Sequence, residues 1–184
     1  MPSPAEQHAL AAAPDASAAD AVPAADFLRE LHQAHAVRLV RLGVLLLGDQ
    51  PSAEDVVQDA FFGLYRALPR LRDRAKAVPY LRTAVVNGSR SVLRSRKRAA
   101  LRRWPHESPV WSAESAAMVG EERRELLAAV ARLPRRAREV LALRYYLSLT
   151  DTEIAAALGI ARGTVSSTAS RALAALAAEL KEEL

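Results

Sequence analysis

The chain has 184 residues, with 26 Lys and Arg against 21 Asp and Glu, giving a formal net charge of +5 and a sequence pI of about 10.1. That length fits one domain or two small ones, and the basic balance favours an anionic partner such as nucleic acid or a membrane surface. The absence of cysteine excludes disulfides, thiolate zinc sites and cysteine nucleophiles. No apolar run approaches the roughly 18 residues of a spanning helix and no basic-then-apolar leader opens the chain, so a cytoplasmic location is expected.

Residues 1–25 hold 11 Ala and 4 Pro, too little bulky apolar surface to offset the entropy of ordering a backbone, and are expected to form a disordered tail. From Phe27 a helical pattern runs to Leu47, its end too apolar for a one-sided surface helix, and Gly48-Asp49 breaks it. A second helix is predicted from Ser52-Ala53-Glu54-Asp55, a capping-box-like start, to Pro69, with Val56, Val57, Ala60, Phe61, Leu64 and Leu68 facing a core. A third begins near Pro79, a residue suited to a first turn, and continues to Arg98 or Arg103. Trp104 to Glu114 has two prolines, two tryptophans and little periodicity, the signature of a linker. Helices follow at about 116–133, 135–147, 151–158 and 161–181, punctuated by Pro134 and Gly159. The predicted fold is all-α, two small helical domains at 26–103 and 116–184 joined by a flexible linker at 104–115.

Charge is segregated along this pattern. Residues 1–65 carry 3 basic and 9 acidic side chains, residues 66–103 carry 13 and 1, and the remainder 10 and 11. A basic block with Asp73 as its one acid repels itself unless a polyanion meets it, which points to nucleic acid. Within it Arg90, Arg94, Lys97 and Arg98 project within an arc of roughly 100 degrees on one helix, a stripe able to track phosphates, and Asn87 lies one turn earlier.

The segment Leu149 to Leu173 (LTDTEIAAALGIARGTVSSTASRAL) carries the clearest local signal. Thr150 and Glu153 form a capping box, Gly159 supplies a left-handed turn, and a second helix follows with an apolar stripe of Ile160, Val165, Ala169, Leu173 and Leu176. Arg162, Thr164, Ser166, Ser167 and Arg171 lie mostly off that stripe. Two short helices joined by a glycine turn make a helix-turn-helix, whose second helix fits the major groove.

These residues carry a family resemblance. Leu133 to Leu173 (LPRRAREVLALRYYLSLTDTEIAAALGIARGTVSSTASRAL) resembles region four of bacterial sigma factors of the extracytoplasmic-function (ECF) group. Leu45 to Leu68 (LLLGDQPSAEDVVQDAFFGLYRAL) and Pro79 to Arg98 (PYLRTAVVNGSRSVLRSRKR) resemble the two helices of region two. The resemblance covers about residues 27–177. It implies that Asp55, Gln58 and Asp59 dock on the β′ clamp of core RNA polymerase and that region four meets the β flap. It implies that Arg82, Asn87, Arg90, Arg94, Lys97 and Arg98 contact minus-10 promoter DNA, with Asn87 as base reader, and that Arg162, Thr164, Ser166, Ser167 and Arg171 contact the minus-35 element. An anti-sigma protein is a further partner of this kind of chain; no cofactor, metal, membrane or enzymatic activity is implied.

Residue chemistry supports part of this independently. Asp55, Gln58 and Asp59 share one side of a helix whose other side is apolar, suiting a basic partner; the helix dipole explains Glu54 and Asp55 equally well, and Asp59, further in, less well. Tyr80 stands where many relatives have Trp, with packing favoured over base stacking, and Ser91 replaces an acid. Ala161, Ser166 and Thr168 depart from the usual cap and basic residues, so minus-35 binding is expected to be weak or altered. His32 and His35 share a helical face, but no carboxylate accompanies them, and no metal site is expected. The stripe Phe61, Phe62 and Tyr65 is expected in the core, with at most one ring exposed to a partner; Gly88 weakens the third helix without forbidding it, and the scattered Gly43, Gly63 and Gly120 carry no motif. An autonomous helix-turn-helix regulator would need only the C-terminal unit, and a nuclease using Asp55 and Asp59 as metal ligands lacks a third ligand.

Overall fold

The computed structural model describes residues 16–71, 73–102 and 121–182, and every regular element among them is helical. The first unit comprises α1 (Ala16–Leu47), α2 (Gln50–Ala67) and α3 (Ala77–Arg102). The second comprises α4 (Glu121–Arg132), α5 (Arg135–Leu141), α6 (Asp151–Leu158) and α7 (Arg162–Glu182). Two 3-10 turns, Leu68–Arg70 and Arg74–Lys76, precede α3, and a wide π-type turn, Ala142–Tyr146, continues α5.

Helix α1 starts ahead of the expected boundary, because the backbone is already helical at Ala16 and passes through Pro23; alanine is the strongest helix former. The remaining residues of the predicted tail, 1–15, lie outside the described residues, as do the predicted linker at 104–115 and the predicted helix start near 116. At the other end Gly48, with φ 84, turns the chain out of α1. Asp49 then caps α2, its carboxylate accepting from the Ser52 amide at 3.0 Å, with Pro51 in the first turn. The cap is therefore Asp49 rather than the predicted Ser52, because the glycine reversal is tight enough to bring the acid directly onto the new helix end.

The apolar stripes of these helices meet at close quarters. An added Cβ on Gly88 of α3 would lie 2.8 Å from Val56 Cγ1 of α2, and one on Gly43 of α1 would lie 2.8 Å from Ala53 Cβ. Leu42, Leu64, Leu81, Val85 and Val86 are fully buried between them.

Arg96 locks the same corner from the far end of α3. Its guanidinium donates to the Leu47 carbonyl at 3.1 Å, to Asp49 Oδ2 at 2.6 Å and to Ser52 Oγ at 2.6 Å. One side chain thus satisfies an open carbonyl at the end of α1 and holds the cap of α2.

In the second unit Val165, Ala169, Ala172 and Leu176 of α7 are buried against α5 and α6. Leu173, predicted within this stripe, is instead substantially exposed, since the spacing from Val165 and Ala169 brings Ala172 to the centre of the face. The two units also pack on each other. Helix α1 lies against α4, α5 and the π-type turn, α3 lies against α6, and the buried apolar side chains form one connected cluster.

Burial works to raise the Asp49 pKa, but the hydrogen bonds from Ser52 and Arg96 outweigh it and hold the carboxyl below its ordinary value. A depressed carboxylate pKa stabilises the fold above the unfolded value near 3.9, and that contribution is lost as pH falls through the folded value. Arg96→Met is expected to cost about 2 kcal/mol at neutral pH, read as a lower urea midpoint. The gap to the native chain should shrink on acidification below about pH 4; an unchanged midpoint at neutral pH would show that the corner does not depend on Arg96.

Candidate nucleic-acid and partner interfaces

Helix α2 turns Asp55, Gln58 and Asp59 to solvent because Val56, Val57, Ala60 and Leu64 occupy its inner face. Neither Asp55 nor Asp59 has an ion-pair partner among the described residues. Phe62 and Tyr65, three and six residues beyond Asp59, extend that outer face and are 56% and 58% exposed. The sequence pattern placed Phe61, Phe62 and Tyr65 together as core with at most one ring outside; only Phe61 is packed inward, where His32 meets its ring at 5.0 Å. The missed signal is spacing: Phe62 and Tyr65 fall within one or two turns of Gln58 and Asp59 on the open side. Alongside runs an open groove of about 1400 Å³ between α1 and α2, lined by Val40, Val44, Gln58, Phe61 and Tyr65 and reached from the second unit by Tyr146.

The predicted minus-10 residues of α3 divide into two sets. Asn87, Arg94, Lys97 and Arg98 are exposed, and the last three have no ion-pair partner among the described residues. Arg90 is turned toward the second unit. Its Nε and Nη2 donate to the two oxygens of Glu139, both at 2.7 Å, and its side chain is 14% exposed against 2% for the glutamate. Hydrogen bonding to Glu139 raises the Arg90 pKa, and Arg90 also reaches Asn87 Oδ1 at 3.3 Å. Arg82 is half-buried on the side of α6, where loss of water lowers its pKa and the charge of Glu153 acts in the opposite direction. Tyr80 packs against α2, its hydroxyl 3.0 Å from where a side chain on Gly63 would begin. That contact gives Gly63 a structural reason that the sequence did not show.

The helix-turn-helix forms as its sequence dictates. Thr150 Oγ1 accepts from the Glu153 amide at 3.3 Å, and Glu153 Oε2 accepts from the Thr150 amide at 2.9 Å and its hydroxyl at 2.8 Å, closing a reciprocal capping box. The bonds from Thr150 hold the Glu153 carboxyl below its usual range. Gly159, at φ 65, ends α6, and the Ile160 amide closes on the Ala155 carbonyl at 3.1 Å. Arg162, Thr164, Ser166, Ser167 and Arg171 are all exposed on α7. Ser167 Oγ donates to the Thr164 carbonyl and Arg171 Nε to the Ser167 carbonyl. Ala161 takes the cap position, its carbonyl accepting from the Thr164 and Val165 amides, with no side-chain oxygen to offer α7.

Fold and surfaces together define a class: a two-unit helical DNA-binding protein whose first unit separates an acidic-aromatic face from a basic stripe and whose second unit presents a helix-turn-helix. The profile described as Sigma-70 region 2 matches residues 31–99, and that described as Sigma-70, region 4 matches residues 123–176. The chain is 34% identical over 143 residues to the RNA polymerase sigma-E factor of Streptomyces coelicolor, covering 77% of this chain and 79% of that one. It is 30% identical over 164 residues to the ECF RNA polymerase sigma factor SigL of Mycobacterium tuberculosis, covering 86% and 91%. In three dimensions it is similar to CnrH in complex with the cytosolic domain of CnrY, with TM-score 0.65, 25% identity and coverage of 90% and 99%. It shares the fold of RpoE in complex with the anti-sigma factor NepR from Bartonella quintana, with TM-score 0.67, 24% identity and coverage of 85% and 97%. The chain belongs to the sigma-70 family and is an ECF sigma factor, which directs promoter-specific transcription initiation.

The bare cap of α7 yields a test of the geometry. Ala161→Ser supplies an oxygen for the Thr164 amide and should stabilise the chain by about 1 kcal/mol, seen as a higher urea midpoint at unchanged slope. No gain would mean that α7 does not begin at Arg162.

Proposed function

We propose that the chain divides into a polymerase-docking and minus-10 unit at 26–103, a connector at 104–115 and a minus-35 unit at 116–184. The observation that carries this reading is the placement of opposite charges on adjacent helices: exposed Asp55, Gln58 and Asp59 on α2, and exposed Asn87, Arg94, Lys97 and Arg98 on α3. An acidic face with two exposed rings suits a basic protein surface, and the β′ clamp of core polymerase is the proposed occupant. A stripe of arginines suits a phosphate backbone, and α3 is proposed to hold the minus-10 strand, with Asn87 positioned to read a base. Arg82 and Arg90 complete that set once they leave the second unit. Helix α7 is proposed to enter the major groove of the minus-35 element, the second unit lying against the β flap. An anti-sigma protein, like the one named with the solved relative from Bartonella quintana, is a proposed inhibitor. The chain acts without chemistry of its own. Its site of action is the cytoplasm, in keeping with described helices that are too short or too polar to cross a membrane.

Two measurements test the assignment. Asp59→Arg places like charge against a basic partner and should lower affinity for core polymerase about tenfold or more in a competition assay, with the circular dichroism spectrum unchanged. Equal competition would remove α2 from the interface.

The DNA-contacting helices are separated by what each reads. Arg94→Ala should weaken open-complex formation on every promoter and flatten its log–log salt slope by about 0.7 for the lost single-strand phosphate contact. Arg162→Ala should cost about 1–3 kcal/mol on promoters with an intact upstream element and little on scrambled ones. Equal loss on both would make Arg162 a phosphate contact and leave the reading of bases to Thr164, Ser167 or Arg171.

A further inference from the structure

The seam between the units is polar at points where the DNA-binding surface needs to be free. Arg90 is held by both oxygens of Glu139, which also has Arg135 and Arg136 of its own helix at 3.5 Å. On one flank Arg138 Nη1 donates to the Leu46 carbonyl at 3.1 Å. On another, Arg38 Nη2 donates to the Tyr146 carbonyl at 3.2 Å, its guanidinium 6.0 Å from the Tyr146 ring centre. Helix α6, the first of the helix-turn-helix, packs directly on α3.

A carboxylate and a phosphate offer a guanidinium the same two-pronged acceptor, so Arg90 cannot serve Glu139 and a DNA strand at once. A strand approaching Arg90 in this arrangement meets a buried negative charge and the body of α6. Resting on the assignment of α3 to minus-10 DNA, we propose that this seam is an intramolecular latch in which Glu139 occupies Arg90 in place of a phosphate and the second unit covers the head of the basic stripe. The latch must open before the chain holds single-stranded DNA. It is well suited to opening, because the Coulombic gain of a buried ion pair is largely offset by the water both groups surrender. A partner that binds the separated units better than the closed ones shifts the balance by that difference in affinity. Arg94, Lys97 and Arg98 lie beyond the covered head and stay exposed, available for a first encounter.

The test uses the full chain without polymerase and reads two quantities. Its lack of native cysteine allows spin labels at Ser95→Cys on α3 and Ala174→Cys on α7, both exposed, to report the distance between units. Fluorescence anisotropy of labelled single-stranded oligo(dT) reports phosphate binding. Glu139→Gln strands the Arg90 charge at the seam and should broaden the distance distribution to longer values while raising oligo(dT) affinity about tenfold. Arg38→Gln, at an exposed position, should move both readings the same way by less, and it decides the matter if Glu139→Gln fails to fold. Glu30→Gln, the same charge change on the exposed side of α1, should leave both at native values. An unchanged distance distribution would overturn the latch while leaving the polymerase assignment intact. Widening without a gain in oligo(dT) affinity would overturn the assignment of α3 to DNA, and the latch with it.

Discussion

A buried carboxylate ringed by arginines fixes how the two halves of this molecule meet. Glu139 is 2% exposed and lies within reach of Arg90, Arg135 and Arg136. A glutamate so placed is tolerable only with its charge compensated and its oxygens hydrogen-bonded. Two of the compensating groups sit on its own side of the seam at 3.5 Å, while the two short bonds come from α3 of the other unit. The orientation of α3 therefore carries a constraint from the second unit, and three cations around one anion leave a net positive charge that suits a negatively charged competitor.

Inside the first unit the organising feature is the corner at Gly48 and Asp49. Once α1 turns there, α2 runs back along it so closely that Gly43 faces Ala53, and α3 crosses α2 with Gly88 against Val56. These contacts bury the inner faces of α2 and α3, which forces the acids of α2 and the exposed bases of α3 outward on separate surfaces. The proposed function follows from that exclusion: one surface is left for a protein and the other for a nucleic acid, without mutual neutralisation. Arg96 illustrates the distinction among arginines of one helix. It is withdrawn from the basic stripe by three bonds to the corner, whereas Arg94 and Arg98 on either side remain in water.

What was legible in the sequence is what short-range chemistry decides. The capping box at Thr150 and Glu153, the left-handed Gly159, the exposure of Arg162, Thr164, Ser166, Ser167 and Arg171 and of Asp55, Gln58 and Asp59, and the helical order of the chain all follow from residues within a turn or two of each other. The departures are long-range. Arg90 and Glu139 are 49 residues apart in the chain, and Arg96 and Asp49 are 47 apart; no local pattern distinguishes an arginine that pairs across such a gap from one that faces solvent. Gly43 and Gly63 looked incidental, and Gly88 no more than a weak point of its helix, for the same reason, since their role depends on which helix crosses them. Phe62 and Tyr65 were placed in the core because aromatic rings usually are, and an interface presents the same composition. The start of α2 was misplaced because Asp49 and Ser52 are both good caps, and the tight turn at Gly48 decides between them.

The family assignment and the physical reading converge on one requirement. On the proposed assignment, a large scaffold that engages α2 sets the separation at which α3 and α7 act together, turning two small contacts into one strong one. The direct measurement is transcription of the source genome by purified core polymerase with and without this chain, followed by mapping of transcript 5′ ends. A limited set of new start sites, each preceded by two short elements at one fixed spacing, is the predicted result. An unchanged set of start sites, together with selective duplex binding by the chain alone, would contradict it.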